Sequence, residues 1–119
     1  MKAFLIDSKN KEVKEIEMTD NWEEIPQTLG CEVFSCPHVT TENDVMYCDD
    51  EGLLKPLESF FLLESYPQPI AGNGLILGDD GEGGSESAHV DLETLKKRVT
   101  FMSPNDAYNW SLKQEFMFN

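Results

Sequence analysis

Four side chains suited to a soft metal lie close together in the chain: Cys31, Cys36, His38 and Cys48 spell Cys-x4-Cys-x-His-x9-Cys. Thiolate and imidazole are the donors that zinc prefers, but the Cys-x2-Cys pairs of ordinary zinc knuckles and fingers are absent from this spacing. Three sparse cysteines suit a reducing compartment, and free thiols are among the most buried side chains, so ordinary buried thiols are the plainer expectation and zinc the sharper one. The same residues are the best material for nucleophilic catalysis, with His38 or His89 as the base. Two residues apart on a strand, Cys36 and His38 would share a face at roughly 6–7 Å along the backbone. No third group is in view to orient the base, so a small enzyme built on cysteine, histidine and acids ranks below a binding protein.

Two further groups of residues suggest ligands. Gly72-Asn73-Gly74 could turn backbone N–H groups toward an anion, joined by the bases Lys96, Lys97 and Arg98 and, if the tail builds an interface, by Phe116 and Phe118. An oligomer sequestering a small nucleotide is the reading these support. Phosphate loops of the Walker and Rossmann kinds lead into a helix, however, whereas an apolar strand follows here. The plainer reading of the turn is structural, with glycines permitting positive φ and Asn73 tolerating the left-handed region. The acids Glu42, Asp44, Asp49, Asp50 and Glu51, and then Asp79, Asp80, Glu82 and Glu86, gather on two turns. Divalent-cation binding or acid–base work would require some of them to be buried; solvated acids at the surface are the commoner case.

The charge constrains the partner. With 23 acids against 9 bases the net charge is −14, and Arg98 is the single arginine. Direct nucleic-acid binding is excluded on that count, because phosphate neutralisation needs clustered Lys and Arg. An anionic membrane would repel the chain as well. A solvated acidic coat explains the charge most simply, and imitation of a polyanion in the basic groove of another protein explains it most sharply. No apolar run approaches the ~18 residues that span a bilayer, and Asp7 interrupts the opening apolar stretch before a signal-peptide core develops, so a cytoplasmic protein is expected. No cofactor is expected.

The elements that must position these residues read as one α+β domain with a small mixed, mainly antiparallel sheet and two or three short helices. Residues 2–6 and 12–18 form an opening hairpin. Asn21 and Glu24, at capping-box spacing, start a short helix that buries Trp22, Ile25 and Leu29 and stops at Gly30. Two strands, 32–39 and 44–48, flank the loop 40–43, and Pro37 makes the first an edge strand or ends it early. Residues 59–63 read as a strand covered on both faces, 74–78 as a second apolar strand, and 79–87 as a flexible acidic loop. Asp91 caps a helix whose last turn holds Lys96, Lys97 and Arg98, residues 99–102 are a short strand, and Ser103-Pro104 opens a helix to about Leu112. The domain is placed at 1–102, with 103–119 as an aromatic extension that docks or meets a second subunit.

Three stretches, Lys2-Ala3-Phe4-Leu5-Ile6-Asp7, Asp49-Asp50-Glu51-Gly52-Leu53-Leu54-Lys55 and Pro69-Ile70-Ala71-Gly72-Asn73-Gly74-Leu75-Ile76-Leu77-Gly78, resemble, in that order, the uncharacterised family called domain of unknown function 3846. The resemblance spans roughly residues 2–102, and Pro-Ile-Ala-Gly-Asn-Gly is its most specific element. It implies an accessory protein of a phage or mobile element, and it carries no catalytic residue across. The expectation is a non-enzymatic protein that binds a host or phage protein through its acidic surface, with countering of host antiviral defence by polyanion mimicry as the concrete version.

Overall fold

The computed structural model describes residues 1–118, with side chains described through Gln114. Strands β1 (Lys2–Asp7) and β2 (Glu12–Glu17) form the expected hairpin, paired from Lys2↔Glu17 to Asp7↔Glu12. Helix α1 (Glu24–Leu29) buries Ile25 and Leu29 and ends at Gly30, whose φ of 70° is the left-handed closure that glycine adopts without strain. Trp22 falls outside the helix and is 64% exposed, contrary to expectation. The reason is local: the Glu24 carboxylate accepts from the N–H and hydroxyl of Thr19 instead of the Asn21 N–H, so no capping box forms and Trp22 stays in the turn before the helix.

Strands β3 (Phe34–Val39) and β4 (Asp44–Asp49) flank the loop 40–43 as predicted. β3 is an edge strand, and its register shifts between Ser35 and His38, where Pro37 cannot donate to the ladder. After a short 3-10 turn at Gly52–Leu54 come β5 (Phe60–Leu63), β6 (Ile70–Ala71) and β7 (Gly74–Asp79). Where the sequence predicts a flexible loop, the acidic stretch that follows folds back as β8 (Ser85–Glu86) on β7, with Asp80 accepting from the N–H groups of Glu82 and Gly84.

Helix α2 (Leu92–Arg98) is capped by Asp91, which accepts from the Thr94 N–H at 2.8 Å, and runs straight into β9 (Val99–Met102). Helix α3 spans Pro104–Phe118, longer than predicted, and opens on a reciprocal capping box between Ser103 and Asp106. Phe116 and Phe118 lie beyond the described side chains.

The α+β class holds, and the strands divide into two sheets in which every described pairing is antiparallel. The larger has the order β2-β1-β7-β4-β3 with β8 beside β7; the smaller is β6-β5-β9. One face of the large sheet packs Ala3, Leu75 and Leu77 against Met18, Ile25 and Leu29. Its other face packs Phe4, Ile6, Met46 and Ile76 against Phe61 and Leu63 of the small sheet and Leu95 of α2. Alternation along β1 and β7 feeds both cores, which is why their strands read as apolar throughout. The start of α3 closes the outer side of the small sheet, with Ala107 against Phe60, Ala71 and Met102. The extension therefore docks on the domain at its root.

Candidate functional site

Between β4 and β5 the chain crosses from the large sheet to the small one, and this crossing carries three of the exposed large apolar side chains among the described residues. Asp49 accepts from the Glu51 N–H at 2.9 Å and holds Lys55 at 2.5 Å, which bends the chain outward. Gly52 then passes so near Ala71 that a Cβ on it would sit 3.0 Å from the Ala71 carbonyl oxygen. With the backbone pinned inward at Gly52, the residues after it point outward: Leu53 is 69% exposed, Leu54 81% and Leu57 47%. Asp50, Glu51 and Glu58 are exposed beside them.

A cleft lies on each side of this segment. One, of about 540 Å³, is lined by residues that include Lys9, Lys55, Leu57, Ser59 and Asn73. The other, of about 370 Å³, includes Pro37, Leu53, Leu54, Tyr66 and Ile70. The three stretches that resemble one family meet here. Gly52 abuts Ala71, while Ser8, next after Asp7, donates to the Gly72 carbonyl at 2.5 Å and lies 2.7 Å from the Ser59 hydroxyl.

The Gly72-Asn73-Gly74 turn is locked rather than open to an anion. The Gly72 N–H donates to the Ser59 carbonyl at 2.9 Å, and the Asn73 amide oxygen accepts from the Ser8 N–H at 3.0 Å. Gly72 takes the positive φ of 84°, whereas Asn73 does not, which corrects the left-handed role expected of it. Gly74 is bare for another reason: a Cβ there would lie 2.5 Å from the Phe61 ring.

Lys96, Lys97 and Arg98 are not beside this turn. Arg98 grips Glu42 through both nitrogens at 2.8 Å, at the Asp79 end of β7, while the turn adjoins the Gly74 end, about 16 Å of strand away. Lys96 leans on Glu93 at 3.7 Å. The two lysines in the cleft beside the turn are themselves opposed by acids, Lys55 by Asp49 and Lys9 by Glu58 at 4.0 Å.

The acids do not form one face. Glu42, Asp79, Asp80, Glu82 and Glu86 cluster at one end of the large sheet, and Asp49, Asp50 and Glu51 lie at the opposite end of β4. Asp44 is not on the surface at all, being fully buried. It accepts from the His89 N–H at 2.7 Å and the Val90 N–H at 3.0 Å, a backbone role invisible in a charge count. The Arg98 guanidinium bonded to Glu42 pulls that carboxyl down to about 2.

The proposed zinc set is likewise taken apart. Cys31 packs with the α1 core and Cys48 with the core on the other face of the sheet, while Cys36 is exposed. The His38 Nε2 sits 2.8 Å from the Ser65 hydroxyl. Burial raises the thiol pKa of both Cys31 and Cys48, which keeps them protonated rather than ready as ligands or nucleophiles. The bulge at Pro37 breaks the alternation that would have set Cys36 and His38 on one face, and neither lines the two clefts at the crossing. Among the described residues no three His, Cys, Asp or Glu side chains gather as a metal set.

The residues missed from the sequence are Leu53, Leu54 and Leu57, and of His89, expected as a candidate base, the actual place was missed. A signal existed for the leucines: Leu53, Leu54 and Leu57 have the i, i+3, i+4 spacing of a helix face, yet Gly52 and Pro56 on either side leave no helix long enough to bury it. His89 is a candidate base in the sequence, but nothing in the spacing points to the partners it meets. Its Nδ1 faces the Glu42 carbonyl oxygen at 2.8 Å and its Nε2 the Glu86 carboxylate at 2.5 Å, so each nitrogen meets an acceptor and the imidazolium suits the site. Glu86, then the Glu42 carbonyl, and Asp44 at 3.2 Å raise its pKa above 6.5. A raised folded-state value means this contribution is complete below the ordinary histidine pKa and is lost as pH rises through the folded one. The stability difference between wild type and His89→Gln, measured by urea denaturation from about pH 5 to 9, should therefore shrink toward alkaline pH. A constant difference would mean that folding leaves the His89 pKa where the unfolded chain has it.

The family model described as Domain of unknown function (DUF3846) matches residues 1–100. A relative, the uncharacterized protein y4iR of Sinorhizobium fredii (strain NBRC 101917 / NGR234), is 27% identical over 93 residues, covering 76% of this chain. The match covers 57% of that relative's length. No solved structure matches.

Proposed function

Because the chain belongs to the family of domain of unknown function 3846, which offers no reaction to start from, we propose that it is a non-enzymatic binding protein. Its working surface is the acid-rimmed leucine crossing between β4 and β5, and its partner is a basic, partly apolar segment of a host protein. The setting is the host cytoplasm, where the protein acts as an accessory of a phage or mobile element, and countering a host defence is the role that fits such an accessory. Among the described residues no helix is long and apolar enough to cross a membrane.

The single observation that carries this reading is the outward display of Leu53, Leu54 and Leu57 on a backbone pinned at Gly52. Exposed apolar groups in a contiguous patch with a polar rim are characteristic of interaction sites. Asp50, Glu51 and Glu58 around them add the preference for positive charge that a −14 chain already exerts at longer range. Polyanion mimicry by one acidic face is the weaker version, since the acids occupy both ends of the sheet. Nucleotide sequestration is weaker still, since the glycine turn is closed on Ser8 and Ser59 and stands apart from the basic helix end.

Affinity capture from host lysate with wild type, Leu53→Asp/Leu54→Asp and Asp50→Asn/Glu51→Gln is the test. A specific partner should be held by wild type, lost at least tenfold by the leucine variant, about 1.4 kcal/mol or more, and weakened by the acid variant only at low salt. Both variants should melt like wild type, because these side chains bury little. A partner that both variants retain in full would remove the surface from consideration.

A further inference from the structure

We propose that the outer edge of β9 is a self-association surface, where a second copy of the chain pairs its own β9 antiparallel about a two-fold axis at Thr100. The inference begins with hydrogen-bond parity. The Glu64 N–H donates to the Arg98 carbonyl at 2.8 Å, and the register continues as Leu62↔Thr100 and Phe60↔Met102. Alternate residues of an antiparallel strand point their backbone groups to opposite sides. Arg98, Thr100 and Met102 therefore bond to β5, and the N–H and C=O groups of Val99 and Phe101 point away from the small sheet, where among the described residues β9 has no neighbouring strand.

An open edge invites another strand unless something blunts it. The other strand ends and edges of this molecule are blunted. β2 exposes Glu12, Lys14, Glu15 and Glu17; β3 carries Pro37 and a bulge; β6 is two residues long behind Pro67 and Pro69; β8 is also two residues long. β9 reads Val-Thr-Phe-Met, with no charge, no proline and no bulge.

A second copy fits this edge better than an unrelated strand because the edge is complementary to itself. With Thr100 on the axis, Val99 of each copy pairs with Phe101 of the other, so both outward residues exchange both of their hydrogen bonds. Closed two-fold pairing of this kind consumes the edge and stops at two chains. The charge pattern agrees. Residues 96–114 carry Lys96, Lys97, Arg98 and Lys113 against Asp106, and Lys96 and Arg98 are already paired with Glu93 and Glu42. The stretch is +3 by itself and +1 with Glu93 and Glu42 counted, in a chain of −14, so two copies meet here away from most of their excess acids.

The arrangement makes a sharp test possible. Thr100 is exposed, and in the pair it stands directly opposite its own copy at a position without hydrogen bonds between the two, where Cα atoms lie about 4.5 Å apart, within disulfide reach. In a Cys36→Ser background, mild oxidation should convert Thr100→Cys to a covalent dimer, while Thr41→Cys, exposed on the distant β3–β4 loop, should stay monomeric. Wild type should sediment at twice the 13.5 kDa chain mass, and Thr100→Lys at the chain mass with unchanged circular dichroism, because two like charges then face each other. A wild-type monomer whose Thr100→Cys variant cross-links no faster than Thr41→Cys would overturn the proposal. So would a dimer that persists in Thr100→Lys, since its interface must lie elsewhere.

Discussion

The Asp44→Ala variant should lose about 3–5 kcal/mol of folding stability, the loss typical of removing one partner from a buried charged cluster. Asp44 has no solvent-exposed surface, and its two oxygens take the N–H groups of His89 and Val90 as consecutive bonds on one carboxylate. Alanine leaves both donors without an acceptor, that of Val90 in a buried position, and removes the negative charge that faces the His89 ring at 3.2 Å. The segment from Glu86 to Val90 is tied to the β3–β4 loop by these bonds, so its release should also expose the edge of the core at Ala88 and Val90. Asp44→Asn should fall in between: one amide oxygen can still accept, but the NH2 group is turned toward a backbone donor. Urea midpoints of the three proteins at neutral pH decide the matter, and a loss below about 1 kcal/mol in Asp44→Ala would show that the 86–90 segment is held by packing instead.

Phe61 and Gly74 should behave as a coupled pair. Phe61 is fully buried in the core between the two sheets, and its ring occupies the space that any side chain at position 74 would need, with an ideal Cβ 2.5 Å from Cζ. Phe61→Ala should cost about 3–5 kcal/mol through lost burial and the cavity left behind. Gly74→Ala should cost about 1–3 kcal/mol, because a ring packed on all sides cannot swing away. In the double variant the new methyl enters the space the ring vacated, so its loss should fall short of the sum by about 1 kcal/mol or more. Four denaturation curves measure this directly. Strict additivity would mean that the glycine serves the turn at Gly72 and not the ring.

The glycine turn illustrates how far the sequence could be read. Its tightness and its place before a buried strand were legible, because glycine conformational freedom is a local property. That one glycine supplies the positive φ and the other yields space to Phe61 was not, because position 61 approaches only when β5 stacks under β7. The same division holds for the acids. Their number and their two clusters are sequence facts, yet one of them is buried, one is paired with the sole arginine, and the rest stand at opposite ends of β4. Strand length decides that: Asp44 and Asp49 are the two ends of the six-residue β4, so acids that are neighbours in the chain end on different sides of the molecule.

By itself the sequence determined the α+β class, the hairpins, the caps at Asp91 and Ser103, the edge position of the proline-bearing strand and the family, since each depends on local periodicity, turn chemistry or direct likeness. Tertiary structure alone decided which polar groups would meet. It joined β1 to β7 across some seventy residues, placed Cys31 and Cys48 on opposite faces of one sheet, and turned three leucines outward by pressing Gly52 against Ala71. Those outcomes rest on contacts between distant segments, and side-chain type and spacing along the chain carry no record of which segments will become neighbours.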